Sequence, residues 1–403
     1  MSILKVCTIL GTRPEAIKLA PVIRLLNSTP DVEQQVLVTG QHNELLQQPL
    51  DLFGIRPTRD LKVMQENQQL AALTSRLLTE VEQDLSKYRP DWVLVQGDTT
   101  TAMAAALAAY YLRIPVAHVE AGLRTGDRFN PFPEEINRLF VDHLSQLHFA
   151  PTERARQNLL REGLEPSTIH VTGNTGIDAL LEIASRDGVP LPTSIDEPGQ
   201  PLLLVTAHRR ENFGPALMNI CQALRALVLR NPDVHVLYVL HPNPNVTGPV
   251  RKAIGHIPRL NFVAAVGYAQ FTHLMKRSYL ILTDSGGIQE EAPSLGKPVL
   301  VLRARTERVE AIEAGTAKLV GTNSNRIVEE AELLLRQPAL YERMAHAPNP
   351  YGDGHAAERI VRILLKTAGD VHASRQGKRG LITRRVVRQQ TPTSGADLEQ
   401  NHE

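Results

Sequence analysis

The chain has 403 residues, 44 Lys and Arg against 43 Asp and Glu, and a formal net charge of +1. That length exceeds one ordinary hydrophobic core and predicts two domains, while the balanced charge leaves no global footprint for nucleic acid or an anionic membrane surface. No apolar run approaches the ~18 residues of a membrane span. The run Val6 to Leu10, ended by Gly11, is too short for a signal-peptide core, so a cytoplasmic protein is expected. Cys7 and Cys221 lie far apart inside apolar patterns and read as buried thiols, not a disulfide.

Strand-like and helix-like segments alternate along the chain, which predicts α/β architecture with parallel sheets. ILKVCTIL reads as the first strand and Gly11-Thr12-Arg13 as the turn after it. Pro14 suits the first turn of the next helix, where its missing N–H costs nothing, and Ile17, Ala20, Ile23 and Leu26 form the apolar stripe of that helix. Arg13 and Lys18 are placed around its N-terminus, where the dipole and free N–H groups favour an anion. The turn is neither GxGxxG nor a Walker A loop, so neither a bound dinucleotide nor ATP hydrolysis is indicated. A second strand ends at Gln41-His42, and an amphipathic helix spans Gln69 to Lys87.

The stretch DWVLVQ then runs into Gly97-Asp98, and IPVAHV runs into Glu120-Ala121-Gly122, with an Ala-rich helix, Thr99 to Leu112, between them. In an open parallel sheet the C-terminal strand ends line the ligand crevice, so Asp98 and Glu120 are expected to face one cleft. Glu134-Glu135, after the turn Asn130-Pro131-Phe132-Pro133, supplies a third carboxylate; spacing alone does not choose between the two. Three carboxylates around one cleft predict acid/base work. SQLHFAP and TIHVTG read as further strands, with the helix Thr152 to Glu162 between them.

Gly173-Asn174-Thr175-Gly176 reads as a hinge, and the polar, Pro-rich stretch Asp187 to Pro201 as linker-like. The alternation then restarts. PLLLVTAH leads into the charged loop His208-Arg209-Arg210-Glu211-Asn212; VHVLYVLH, SYLILTDS, KPVLVLR and AKLVGTN are further strands. Two readings compete for Asp284-Ser285-Gly286-Gly287. It is either a tight strand–helix turn, or an anion site in which two glycines let the backbone approach a ligand and Ser285 adds a donor. Glu291, further into that helix, suits a ribose diol. His208 has three roles open: hydrogen bonding, diphosphate charge balance or proton transfer. No HExxH and no paired cysteines occur, so no zinc site is expected. From Lys366 to Arg388 seven Lys and Arg stand against Asp370 alone, which reads as a solvated, disordered basic tail.

Taken together, GTRPEAIKLAPV, QGDTTTAMAAALAAYYLRIPVAHVEAGLRTGD, PFPEEINR, TGNTGIDAL, HRRENFG, HPNPNV, LTDSGGIQEEAPSLGKPVL, TERVEAIEAGTAKLVGTN and NPYGDG resemble the non-hydrolysing bacterial UDP-N-acetylglucosamine 2-epimerase family over residues 3 to 365. The resemblance implies a GT-B-like fold: a Rossmann-like domain over residues 1–174, a second over 175–365 whose last helix returns to the first, and the site in the cleft between them. The tail 366–403 has no counterpart. It implies interconversion of UDP-N-acetylglucosamine and UDP-N-acetylmannosamine through elimination of UDP to 2-acetamidoglucal and its re-addition, without cofactor or catalytic metal. By motif match the catalytic set is Asp98, Glu120, Glu134 and His208, which favours Glu134 over Glu135. The UDP-sugar set adds Arg13, Lys18, Phe271, Ser285, Gly286, Gly287, Glu291 and Arg308, with Phe271 expected beside a base-facing loop. Gln41, Arg210, Glu211 and His241 match a second, activating substrate site. A homodimer is implied, with no nucleic-acid or membrane partner. The alternatives are a hydrolysing epimerase, a 2-epimerase of a 2,3-diacetamido uronic acid sugar, a GT-B glycosyltransferase and a UDP-sugar binding protein without catalysis. The chain departs from the family at Ala304 and Val309, where Asp and Pro are usual, at Arg305 and at Val266, which puts the geometry around Arg308 and a contact to uracil in question.

Overall fold

The structure is a computed structural model and describes residues 3–40, 44–63, 68–192 and 199–368. Strands β1 (Leu4–Leu10), β2 (Val32–Val38), β3 (Arg59–Asp60), β4 (Trp92–Gln96), β5 (Val116–Val119), β6 (Leu147–Ala150) and β7 (Ile169–Val171) form one sheet in the order β3-β2-β1-β4-β5-β6-β7. Strands β8 (Leu202–Thr206), β9 (His235–Leu240), β10 (Leu260–Ala264), β11 (Leu280–Thr283), β12 (Val299–Val301) and β13 (Ala317–Leu319) form a second, in the order β10-β9-β8-β11-β12-β13. All pairings are parallel. Each sheet reverses its winding once, between β1 and β4 and between β8 and β11, and such a reversal opens a crevice beyond the strand C-termini. Both halves are parallel α/β, as the alternation predicts, and Rossmann-like, as the resemblance implies.

The helices are α1 (Arg13–Ser28), α2 (Glu44–Leu52), α3 (Leu70–Tyr88), α4 (Thr100–Tyr111), α5 (Glu134–Leu144), α6 (Glu153–Arg161) and α7 (Thr175–Ala184), then α8 (Pro215–Arg230), α9 (Pro244–Ile254), α10 (Tyr268–Arg277), α11 (Gly286–Glu291), α12 (Val309–Glu313), α13 (Ser324–Arg336) and α14 (Pro338–Ala345). A last helix spans 356–368. The central strands β4, β8 and β11 are buried along their whole length, which is why each is a continuous apolar run and not an alternating one. On α4 the alanines at 102, 104, 105, 106, 108 and 109 are all buried; their small side chains let the helix lie close to the sheet.

Two helices tie the sheets together. In helix 356–368, Ile360 and Leu364 join the core formed by Ile23 and Leu26 of α1 under the first sheet. Helix α7 gives Ala179 and Ile183 to that core, and Ile177 and Leu180 to a core with Leu204 and Ile281 of the second sheet. Each fully buried Leu or Ile is worth ~1.5–3 kcal/mol, so this shared packing sets the two strand-end crevices against each other. Cys7 and Cys221 are buried free thiols, and burial pushes Cys221 up to about 11. Among the described residues no helix is long and apolar enough to cross a membrane. The basic segment past residue 368 lies outside the described residues.

Candidate active site

Parallel pairing of β4 and β5 puts Gln96 opposite Val119, so Asp98 and Glu120 leave the same sheet edge on neighbouring strands. The turn is tight: Gly97, at φ 71°, donates its N–H to Val119 O at 3.0 Å. Glu120 itself adopts φ 69°, a left-handed conformation that costs a non-glycine residue ~1–3 kcal/mol. The Glu120 and Ala121 amides hold it there by donating to Phe149 O on β6 at 3.0 and 3.1 Å.

Helix α5 closes this edge. Arg138 donates to the Asp98 carboxylate, and Asn137 Nδ2 donates to the Asp98 carbonyl oxygen at 2.9 Å. The two adjacent glutamates differ sharply. Glu135 is buried, accepts from the Thr125 and Gly126 amides at 3.0 and 2.9 Å, and pairs with Arg138 at 3.1 Å. The carboxylate of Glu134, half-exposed at the start of α5, has no hydrogen-bond or ion-pair partner among the described residues.

Lys18 sits in the second turn of α1, not at its N-terminus, and its ammonium is paired with Glu120. Burial alone would lower the Lys18 pKa; Glu120 and Glu290 overcome that and raise it. At the N-terminus of α1 the Glu15 amide donates to the Thr12 hydroxyl at 3.5 Å, and the buried Glu15 carboxylate accepts from Gly11 N at 3.0 Å and from the Thr99 hydroxyl at 2.6 Å. Arg13 lines a cavity with Pro49 and Leu52 of α2 and Gly267 and Tyr268 at the start of α10.

In the second sheet the buried Asp284 carboxylate gathers the loop after β8. One oxygen accepts from the His208 and Arg209 amides at 2.8 Å each and from Asn212 Nδ2 at 2.9 Å. The other lies 3.6 Å from His208 Nδ1. His208 also stacks on His241. Ser285 precedes α11; a Cβ on Gly286 would lie 3.2 Å from Glu307 Oε1 and 3.3 Å from Arg308 Cζ, whereas one on Gly287 would meet nothing within 4 Å. Gly286 thus admits charged side chains and Gly287 leaves room for a ligand. Arg308 donates from Nε to Glu290 Oε1 at 2.6 Å and lies 3.1 Å from Glu307. The Arg308 amide is held by Thr306, which in turn donates to Gln289 at 2.7 Å, so Arg308 is fixed even though Ala304 and Val309 replace the usual Asp and Pro. Glu290 also accepts from Asn174 Nδ2 at 2.7 Å. Burial, then Glu290, pushes the neighbouring Glu291 carboxyl up to about 8, against the pull of Lys18, Tyr268 and Arg13.

The crevices meet: Glu120 from the first sheet and Glu290, Glu307 and Arg308 from the second line one cavity. Phe271 corrects the expectation of a loop. It lies in the first turn of α10, its amide donating to Gly267 O at 2.9 Å, and it packs with Val266 against the second core. Of the second-site candidates, Arg210 is exposed, Glu211 pairs with Arg303 at 2.6 Å, His241 is exposed beside His208, and Gln41 lies outside the described residues. Sequence reading does not single out Arg138, Glu290 or the Asp284 carboxylate. The signal for Asp284 is an acid ending a fully apolar strand, where a buried charge must be paired. Among the described residues no group of three or more His, Cys, Asp or Glu is placed to hold a metal ion.

A protein-family model described as UDP-N-acetylglucosamine 2-epimerase matches residues 24–365. An Escherichia coli K12 protein of that name is 50% identical over 369 residues, covering 90% of this chain and 98% of its own length. A Campylobacter jejuni protein of the same name is 46% identical over 373 residues, 90% of this chain and 97% of its own. The crystal structure of the Neisseria meningitidis UDP-GlcNAc 2-epimerase bound to UDP-GlcNAc is 44% identical, covers 90% of this chain and 100% of that one, and superposes with a TM-score of 0.80. With two parallel-sheet domains of the GT-B-like kind and these similarities along most of its length, the chain belongs to the UDP-N-acetylglucosamine 2-epimerase family.

Proposed function

We propose that this chain interconverts UDP-N-acetylglucosamine and UDP-N-acetylmannosamine. The observation that carries the proposal is the convergence of Glu120, paired with Lys18, on Arg308, paired with Glu290, around one interdomain cavity, with Asp98 one strand away. The names of its relatives and the nucleotide sugar bound to the Neisseria protein support the same substrate.

In this reading a carboxylate removes the C2 proton as the C1–oxygen bond to UDP breaks, leaving 2-acetamidoglucal and UDP. UDP then re-adds at C1 while a proton arrives at the opposite face of C2. Asp98 and Glu134 are the acid/base pair; Glu134 suits the role because its carboxylate has no competing partner among the described residues. Glu120 positions the sugar or shares the proton transfer. Arg13, Lys18, Arg308 and the Ser285-Gly286-Gly287 turn receive the diphosphate, Glu291 the ribose and the Phe271 region the base, while His208 supports the leaving group. Positive charge fixed before the bond breaks stabilises the departing diphosphate at little reorganisation cost. Arg210, Glu211 and His241, with Gln41, form the activating substrate site of the same reading. The enzyme is cytoplasmic and homodimeric, and exposed Tyr110, Tyr111 and Phe140 on neighbouring α4 and α5 offer an apolar surface for a second copy.

Incubation with UDP-N-acetylglucosamine in deuterated water tests this. Proton NMR is expected to reveal UDP-N-acetylmannosamine carrying deuterium at C2. Unchanged, unlabelled substrate under conditions where another epimerase works overturns the reading, and free N-acetylmannosamine with UDP would make the chain a hydrolysing enzyme.

A further inference from the structure

His118 of β5 is fully buried, and both of its ring nitrogens are engaged. Nδ1 lies 2.6 Å from Asp142 Oδ1 on α5, and Nε2 lies 2.8 Å from the Gly97 carbonyl oxygen. A carbonyl oxygen can only accept. Burial alone would raise the Asp142 carboxyl, but the His118 ring and then Arg124 overcome it and hold it lowered, so Asp142 accepts as a carboxylate. Nε2 therefore donates to Gly97, Nδ1 is bonded to Asp142, and the ring is a clamp with two fixed ends.

Each end matters for the candidate carboxylates. Gly97 immediately precedes Asp98, and at φ 71° it has no Cβ to steer the turn; its N–H and C=O, held by Val119 and by His118, set the direction of the Asp98 peptide. At the other end Asp142 Oδ2 accepts from Gly122 N at 3.3 Å and from Arg124 Nη2 at 2.7 Å, which fixes the backbone just past Glu120. His118 itself stands two residues before Glu120 on the same strand.

We propose that His118 is a positioning residue: through the Gly97 carbonyl at one end and Asp142 at the other, it fixes Asp98 and Glu120 relative to each other. The inference rests on the epimerase reading. It assigns no contact between His118 and the sugar; the ring acts only through the two backbone turns.

The test uses the full-length chain and three variants. The amide nitrogen of asparagine sits near the place of Nδ1, and that of glutamine near the place of Nε2. His118→Gln keeps a donor for Gly97 and loses the one for Asp142; His118→Asn does the reverse; His118→Phe loses both. Turnover of UDP-N-acetylglucosamine, KM, UDP affinity by calorimetry and circular dichroism are measured for each. All three variants are expected to lose kcat, His118→Phe by ~10²-fold, the scale of a misplacement of about 1 Å, and His118→Gln and His118→Asn by less, since each keeps one end, with KM and UDP affinity unchanged. Full kcat in His118→Gln or in His118→Asn, or UDP affinity lost in step with kcat, would overturn the positioning role. If the Phe variant does not fold, the Gln and Asn variants still decide. A wild-type chain without turnover would instead count against the epimerase reading itself.

Discussion

The imidazole of His208 lies 5.1 Å from that of His241, centroid to centroid, with the ring planes 13° apart. Burial lowers the His208 pKa, the neighbouring charge that His241 and Arg209 would carry lowers it further, and Asp284 works against them without prevailing. The ring is thus neutral at pH 7 and takes up its proton only below the ordinary imidazole value of about 6.5. For folding, the sign follows: the unfolded chain binds this proton first, so the folded state loses stability as pH falls from the ordinary value through the lowered one. His241→Ala removes one lowering influence and uncovers the ring. Its kcat/KM profile against pH is expected to show the His208 acid limb at higher pH than the parent's. A limb that stays put, or moves down, would separate His241 from His208 function.

The adjacent glutamates at the start of α5 should answer to different measurements. Glu134→Gln removes a carboxylate with no partner among the described residues and is expected to lower kcat by ~10²–10⁴-fold, the usual range for a lost general acid or base, with an unchanged melting temperature. Glu135→Gln disturbs a buried acceptor of the Thr125 and Gly126 amides. It is expected to cost ~1–3 kcal/mol of stability and to show first in the melting temperature. Asp98→Asn and Glu120→Gln should lower kcat as Glu134→Gln does, with UDP affinity retained, but each also breaks an ion pair, to Arg138 and to Lys18, so their melting temperatures should fall. Near-normal turnover in any of these three removes that residue from the chemistry.

Asp284 makes a third case. Its carboxylate holds the amides of His208 and Arg209 together with Asn212. Asp284→Asn keeps the shape but weakens charge-assisted acceptance, and hydrogen bonds to a charged group are worth ~1.5–3 kcal/mol. The loop after β8 should loosen, with UDP affinity falling several-fold by calorimetry and faster proteolytic cleavage near Arg210. Unaltered affinity and cleavage would mean that the loop is held by other contacts.

What the sequence made legible follows from what each element buries. Strands β4, β8 and β11 are enclosed on both faces, so WVLVQ, LLLVT and LILT announce themselves as apolar runs. Helix α9 carries Pro249 in its interior and α10 mixes Tyr268, Gln270, His273 and Lys276; the loop expected at Phe271 follows from the family resemblance, whereas the residues there form the first turn of α10. Strand β3 is two residues long. At the site, strand ends located Asp98 and Glu120, because parallel topology fixes which edge they leave. Partners were illegible where the chain is folded across long separations. Lys18 meets Glu120 over 102 residues, and Asn174 meets Glu290 over 116. A cation read near a helix end as a free anion receptor is therefore already half of an ion pair, a fact that only the tertiary fold supplies.

Glu291 allows a prediction with opposite signs for folding and for binding. Burial, and then Glu290, pushes its carboxyl up to about 8, so at pH 7 it is mostly protonated. An acid whose folded pKa exceeds its unfolded one destabilises the fold progressively as pH rises from the ordinary glutamate range to about 8, because the unfolded chain ionises first. Glu291→Gln removes that burden, and its melting temperature should exceed the parent's by a margin that grows with pH and levels off above the folded pKa. Binding is linked to the same proton. An anionic nucleotide whose ribose reaches this carboxyl favours the protonated form further, so UDP binding is expected to take up protons and to weaken as pH rises from 7 to about 9, through the folded pKa. Calorimetry in two buffers of different ionisation enthalpy measures the uptake directly, and in Glu291→Gln it should vanish along with the pH dependence. A parent protein that binds UDP without proton uptake at pH 8 would show that Glu291 is either ionised before the ligand arrives or remote from the nucleotide.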